Sequence, residues 1–350
     1  MLKSNKFIPI ANFVYKRTHA FLVAVGNGRT RCKALVRSTP TPTPTATPGG
    51  GSNSSAIPDI GANSNLNGFL PFPSDNAWNT PVDTAPLEPN PPVYLYSTSP
   101  LHPDFGGGPD NTGNFSIYGI PFNVVGDDSC PKVSVSFQVA GESDPGPYPI
   151  CDSMAVENGW TTGDGNDHHL LVYDRDNHEL YEIYQIQKNS NGTYSGYAGA
   201  TWNTTSDAER PLYWTSSDAA GLEIFPALLK YDEVASGVVN HALRFTLQHS
   251  YNGFIEPARH AAGYSDTGLA PMGMRVRLKA SVDISHLGPQ AQVIATAMKK
   301  YGMILADNGS DWFFQGTNDP RWNDDDLNTL KTLQGSDFEV IKMGPITPMD

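Results

Sequence analysis

The clearest period along the chain is two. Residues 132–139 read KVSVSFQV, which sets Val133, Val135 and Phe137 on one side of a strand. Residues 167–187 hold two strand-like runs, HHLLVYD and ELYEIYQ, on either side of RDNH. Asp176 and Asn177 suit the tip of a tight turn, so the segment predicts a hairpin. A turn centred there places Asp174 opposite Glu179, Leu171 opposite Glu182 and His169 opposite Tyr184. Asp167, His169, Leu171 and Tyr173 then share a face with Leu180, Glu182 and Tyr184. Residues 241–248 (HALRFTLQ) and 274–282 predict further strands. In the second, Met274, Val276, Leu278 and Ala280 face one way and Arg275, Arg277 and Lys279 the other. Residues 338–343 predict a short closing strand.

A period near 3.6 appears only close to the end. Residues 289–301 open with Pro289, stop before Gly302 and carry an apolar stripe of Val293, Ile294, Ala297, Met298 and Tyr301. Residues 324–333 open with three acids, which suit a helix N-terminus, and repeat Leu327, Leu330 and Leu333. The chain shows no internal repeat. These patterns imply a mainly β fold class: a β-sandwich or jelly-roll-like body with two peripheral helices near the C-terminus.

Before residue 61 the pattern vanishes. Residues 38–55 read STPTPTPTATPGGGSNSS, a polyproline-II tract with flexible Gly and Ser after it. Such a stretch buries no core. It divides the chain into a basic N-terminal segment (1–37), a linker (38–60) and a single β-rich domain (61–350). The N-terminal segment reads as a poor export signal or a mis-set start. Its only apolar run, AFLVAVG at residues 20–26, is far short of a membrane span. Residues 1–38 carry eight Lys or Arg and no acid, which leaves 15 of the 23 bases against all 36 acids in the rest. A body that acidic repels phosphate backbones, which argues against nucleic acid as partner. Cys130 and Cys151 flank a Pro/Gly-rich stretch and make a natural disulfide pair, suited to an oxidising compartment. Cys32 lies in the basic segment.

No nucleotide-binding, nucleophile-elbow, zinc-protease or CxxC motif is present. Candidate chemistry falls in three clusters. The hairpin face gathers Asp167, His169, Glu182 and Tyr184, an acid, a base and a phenol that could transfer protons or line a sugar groove. Residues 214–233 set Asp218, Glu223 and Asp232 among apolar residues, where a carboxyl pKa rises as a general acid requires. The third cluster is basic: His241 and Arg244 on opposite faces of one strand, then Arg259 and His260, which could neutralise a uronate. Asp167, His169, Glu182, Asp218, Glu223 and Asp232 are thus the catalytic candidates. Tyr184, Trp214, His241, Arg244, Arg259, His260 and Trp312 are the substrate-binding ones, the two Trp by stacking on sugars. No cofactor is expected. A metal could be held only through His169, His241 and His260, whose loose spacing supports it weakly.

The blocks FPSDNAWNTPVD, LYWTSSDAAGLEIFPALLKYDEV, HALRFT, PARHAAG, RLKASVDIS and KKYGMILADNGSDWF resemble a group of exported bacterial proteins of no established activity. That resemblance spans most of the acidic body and brings no catalytic residues with it. The Thr-Pro linker joined to a β-rich module is similar in architecture to secreted carbohydrate-active enzymes. The leading expectation is a secreted, monomeric glycoside hydrolase that cleaves an extracellular polysaccharide with paired carboxylates. A polysaccharide lyase using His or Tyr with Arg neutralisation is one alternative. A non-catalytic carbohydrate-binding or cell-surface module is another.

Overall fold

The predicted hairpin forms in the expected register. In the computed structural model, strands Leu170–Asp174 and Glu179–Tyr184 pair antiparallel, with Asp174 opposite Glu179 and Leu171 opposite Glu182. The structure describes residues 56–92, 99–109, 115–127, 129–160 and 164–349, so the basic segment and the Thr-Pro tract lie outside it. The hairpin is the centre of a five-stranded sheet in the order Gly61–Ala62, Asn123–Val125, Leu170–Asp174, Glu179–Tyr184, Ala198–Asn203. Leu171, Tyr173, Leu180, Ala200 and Trp202 line one core, while Leu170, Val172, Tyr181 and Ile183 belong to another. With both faces covered, the strands read as near-continuous apolar runs.

A second, six-stranded sheet runs His102–Pro103, Phe313–Phe314, Leu243–Leu247, Met303–Asn308, Arg275–Leu278, Phe338–Val340. Leu243–Leu247 and Met303–Asn308 lie parallel. The chain between them includes Arg275–Leu278 and the helix Pro289–Lys300, whose Ala291, Ile294, Ala295 and Met298 enter the largest core. The molecule is mainly β, with several sheets and few short helices.

Three local expectations change. Residues 132–139 form no single strand: Lys132–Val133 pairs with Tyr148–Pro149, and Val135–Phe137 runs parallel to Tyr194–Gly196. Only Asp324–Leu327 of the second predicted helix is α, and Asn328–Thr332 tightens to 3-10. The closing strand is limited to Phe338–Val340. The expected disulfide is formed, with Cys130 and Cys151 5.3 Å apart at Cα. No helix among the described residues is long and apolar enough to cross a membrane.

Residues 216–230 tie the two large sheets together. They are irregular apart from one 3-10 turn, Phe225–Ala227, and all but Ala219 are buried. Ala220, Leu222, Ala227 and Leu229 enter the core of the second sheet. Ile224, Phe225 and Leu228 enter that of the first. Irregular chain at this depth is uncommon, because its peptide groups have no ladder to pair with.

Candidate active site around residues 214 to 224

The peptide groups of this segment are paired largely by side chains that the sequence singles out for chemistry. Glu182 accepts hydrogen bonds from the Ile224 and Phe225 N–H groups at 3.0 and 2.8 Å, and from the Ser217 hydroxyl at 2.6 Å. Burial pushes its carboxyl pKa up, and these donors pull against that shift. His169 Nε2 donates to the Ser217 carbonyl at 3.0 Å, and its Nδ1 meets Glu157 at 2.6 Å. Burial alone would lower the imidazole pKa, but the Glu157 carboxylate raises it to about 9. Asp218 Oδ1 accepts from the Ala220 and Leu222 N–H groups at 3.0 and 3.2 Å.

These placements correct several expectations. Glu182 is 0% exposed and surrounded by donors, so no substrate proton can reach it. His169 has both nitrogens engaged and serves as a buried cation rather than a base. Asp232 is engaged by Arg321 at 2.7 Å in an ion pair whose guanidinium also bonds Asp319. Trp312 is 0% exposed, stacked on Phe245 with Phe338 tilted against it, and offers no face to a sugar. His241 turns away to Glu233 at 3.0 Å and the Ala242 carbonyl. His169, His241 and His260 therefore do not converge. Among the described residues no group of three or more His, Cys, Asp or Glu is placed to hold a metal ion.

Other candidates do converge, on the outer side of the same segment. His260 Nδ1 bonds the Ala219 carbonyl at 2.8 Å, and the Arg259 and His260 N–H groups both reach the Ala220 carbonyl. Gly221 makes this approach possible. A Cβ there would lie 2.6 Å from the Trp214 carbonyl oxygen and 3.3 Å from the Cβ atoms of Arg259 and His260. Trp214, Arg259 and His260 thus gather around one glycine. Beside them Tyr213 is 43% exposed and held at φ 70°, a strained conformation for a bulky residue of the kind that clusters at functional sites.

The Ala220 N–H bonds the Ala306 carbonyl, which brings the end of strand Met303–Asn308 to the same place. Asp307 is the next residue. Its Oδ2 lies 3.6 Å from Arg244, whose other near carboxylate is Asp218 at 3.4 Å. Arg244 also donates to Gln315 at 2.5 Å, while among the described residues its Nε has no hydrogen-bond partner. The two acids differ in access: the Asp218 side chain is 0% exposed and that of Asp307 is 28%. Burial pushes Asp218 to about 6, against the pull of Arg244. Burial and then the Asp218 charge push Asp307 to about 7. The charge of Asp167, itself exposed and accepting from Tyr184 Oη at 3.1 Å, reaches Asp307 as well. Burial of His260 lowers its pKa, and among the described residues nothing bonds its Nε2.

Comparison with protein-family models, curated proteins and solved structures finds no match.

A second acid pair includes Glu223 of this segment and Glu209 just before it. Glu223 accepts from Trp78 Nε1 at 2.9 Å. Burial and then the Glu209 charge raise it to about 8. Glu209 is raised to about 7, by burial first and by Glu256 and Asp207 against Arg259. The raised carboxyl pKa expected among the apolar residues of this stretch therefore appears at Asp218 and Glu223, the deep member of each pair. The accessible members, Asp307 and Glu209, are absent from the sequence-derived candidates. Asp307 ends the apolar run MILAD at the C-terminal end of a buried strand, which is a usable signal, because ligands gather at the carboxyl ends of parallel strands. Glu209 sits in SDAERP, which carries none.

Proposed function

We propose that the chain is a secreted glycan-active hydrolase in which Asp307 donates a proton to the leaving oxygen and Asp167 acts as the second carboxylate. The observation that carries this reading is a partly exposed carboxyl, Asp307, that shares the Arg244 guanidinium with the buried acid Asp218 and is raised to about 7 by burial first and by that acid second. Such a group keeps a proton at neutral pH and can still give it up, as glycoside hydrolysis requires. Arg244 stabilises the Asp307 carboxylate once the proton has gone. Tyr184 orients Asp167 through its hydroxyl. Tyr213 and Trp214 supply the flat faces on which sugar rings stack.

We read the two large sheets as layers of a sandwich, because side chains of residues 220–229 alternate between the two cores. That stacking puts the strand end bearing Asp307 beside the hairpin face bearing Asp167 and Tyr184.

His260 favours a second reading, β-elimination of a uronate. Its imidazole is kept neutral by burial, its Nε2 is open, and Arg259 lies beside it. The full chain incubated with a polysaccharide panel separates the two. Reducing ends without absorbance of unsaturated uronides support hydrolysis at Asp307. Reducing ends with that absorbance favour elimination at His260. Binding without products rejects both in favour of a non-catalytic module.

A further inference from the structure

Away from this site, residues 63–70 and 230–240 enclose a pocket of about 450 Å³. Lys230 lies against it and is only 4% exposed. Among the described residues its Nζ donates one hydrogen bond, to the Leu228 carbonyl at 2.9 Å. It lies 3.8 Å from Glu233 Oε1 and 5.0 Å from the centre of the Phe225 ring. An ammonium has three donors and no acceptor. One hydrogen bond, one distant carboxylate and one ring face satisfy it poorly in a desolvated place, and burial lowers its pKa against the pull of Glu233. Glu233 is in turn bonded to His241 Nε2 at 3.0 Å. An under-solvated amine with an acid–imidazole pair beside it, facing a cavity, is the arrangement used by amine nucleophiles.

We propose that Lys230 is a carbonyl-reactive amine, whose Nζ forms a reversible imine with the aldehyde carbon of a polyhydroxylated ligand seated in this pocket. The rim supplies groups that would hold hydroxyls, the amides of Asn65 and Asn240, while the rim carboxylates Asp232 and Asp319 are both bonded by Arg321. In the first step the Nζ lone pair forms the C–N bond, the carbonyl π pair moves to oxygen, and one N–H proton passes to that oxygen by way of Glu233. In the second, the nitrogen lone pair forms C=N, hydroxide departs with the remaining N–H proton, and one water is released. No oxidant or reductant takes part. This proposal does not depend on the role given to Asp307.

The test is reductive trapping on the folded full chain. Glyceraldehyde and cyanoborohydride are added near neutral pH, and adducts are located by peptide mass spectrometry. Lys300 and Lys342, both exposed, are the internal reference. Lys230 should be labelled at least about 10-fold faster than either, because its Nζ lies at a pocket with one hydrogen bond to hold it and burial lowers its pKa, where the reference amines are solvated. Glu233→Gln should slow labelling at Lys230 and leave Lys342 unchanged. Labelling of Lys230 no faster than that of Lys342 in the native protein overturns the proposal. So does an unchanged Lys230 rate in a folded Glu233→Gln protein. The wild-type ratio decides the matter even where a variant fails to fold.

Discussion

Glu182 and Asp307 are both acids on strands of the two large sheets, and their surroundings are opposite. Glu182 is 0% exposed and faces two peptide N–H groups and a hydroxyl. Asp307 is bonded by one peptide N–H, that of Asn308, and its side chain is 28% exposed beside a guanidinium shared with a buried acid. The first carboxylate completes the hydrogen bonding of buried irregular chain. The second lacks such saturation and keeps a labile proton. A carboxylate in an apolar sequence context can be either, and the number of donors pointing at it separates the two.

The largest effect that could break this contrast is on stability. Glu182→Gln turns an amide N–H₂ toward donors and should cost about 3 kcal/mol, lowering Tm by roughly 6–12 °C. Asp307→Asn should leave Tm nearly unchanged at pH 5, where the native carboxyl holds its proton. Thermal unfolding of both variants checks this, and equal Tm losses would erase the distinction.

Next in size is the disulfide. It closes 21 residues of chain and lies just before Glu157, which holds His169. Replacing Cys130 and Cys151 by Ser should cost about 3 kcal/mol in denaturant unfolding. Since Asp307 has no contact with that loop, turnover by the folded fraction should persist.

The pH dependence is smaller and its sign is fixed. Asp307 and Glu209 at about 7, Asp218 at about 6 and Glu223 at about 8 are all raised above ordinary carboxylates. Between roughly pH 4 and 8 the folded state therefore holds more protons than the unfolded one, so stability falls as pH rises. His169, raised to about 9, acts in the same direction: its contribution is complete below its ordinary value and is lost as pH rises toward 9. Unfolding free energy should be clearly larger at pH 5 than at pH 8. Asp218→Asn should flatten the slope. Greater stability at pH 8 would contradict the raised values. The smallest effect belongs to the rim: Trp214→Ala should raise KM several-fold and leave kcat in place.

The sequence carries some of this arrangement and not the rest, for physical reasons. The hairpin register is legible because alternation and an Asp-Asn turn are local. The same alternation misleads at residues 132–139, where neighbours far along the chain divide the run between two partners. Parallel pairing of Asn123–Val125 with Leu170–Asp174 has no local signature at all. At the site, acids among apolar residues mark Asp218 and Glu223 as raised. Nothing local says that residues 216–230 cross between two cores, and it is this crossing that turns Glu182 and His169 into partners for peptide groups. Asp307 works only next to Arg244, 63 residues earlier in sequence, so the pair appears only once the strands are laid side by side.

The most direct test of the account is the turnover of Asp307→Asn, measured on whichever polysaccharide the wild-type chain cleaves, across pH 4–9, with Tm recorded on the same samples. The account predicts a loss of about 10²-fold or more, with Tm unchanged at pH 5 and no lower than wild type at pH 9, and disappearance of the alkaline limb near pH 7 from the rate profile. Wild-type turnover with that limb intact would contradict it.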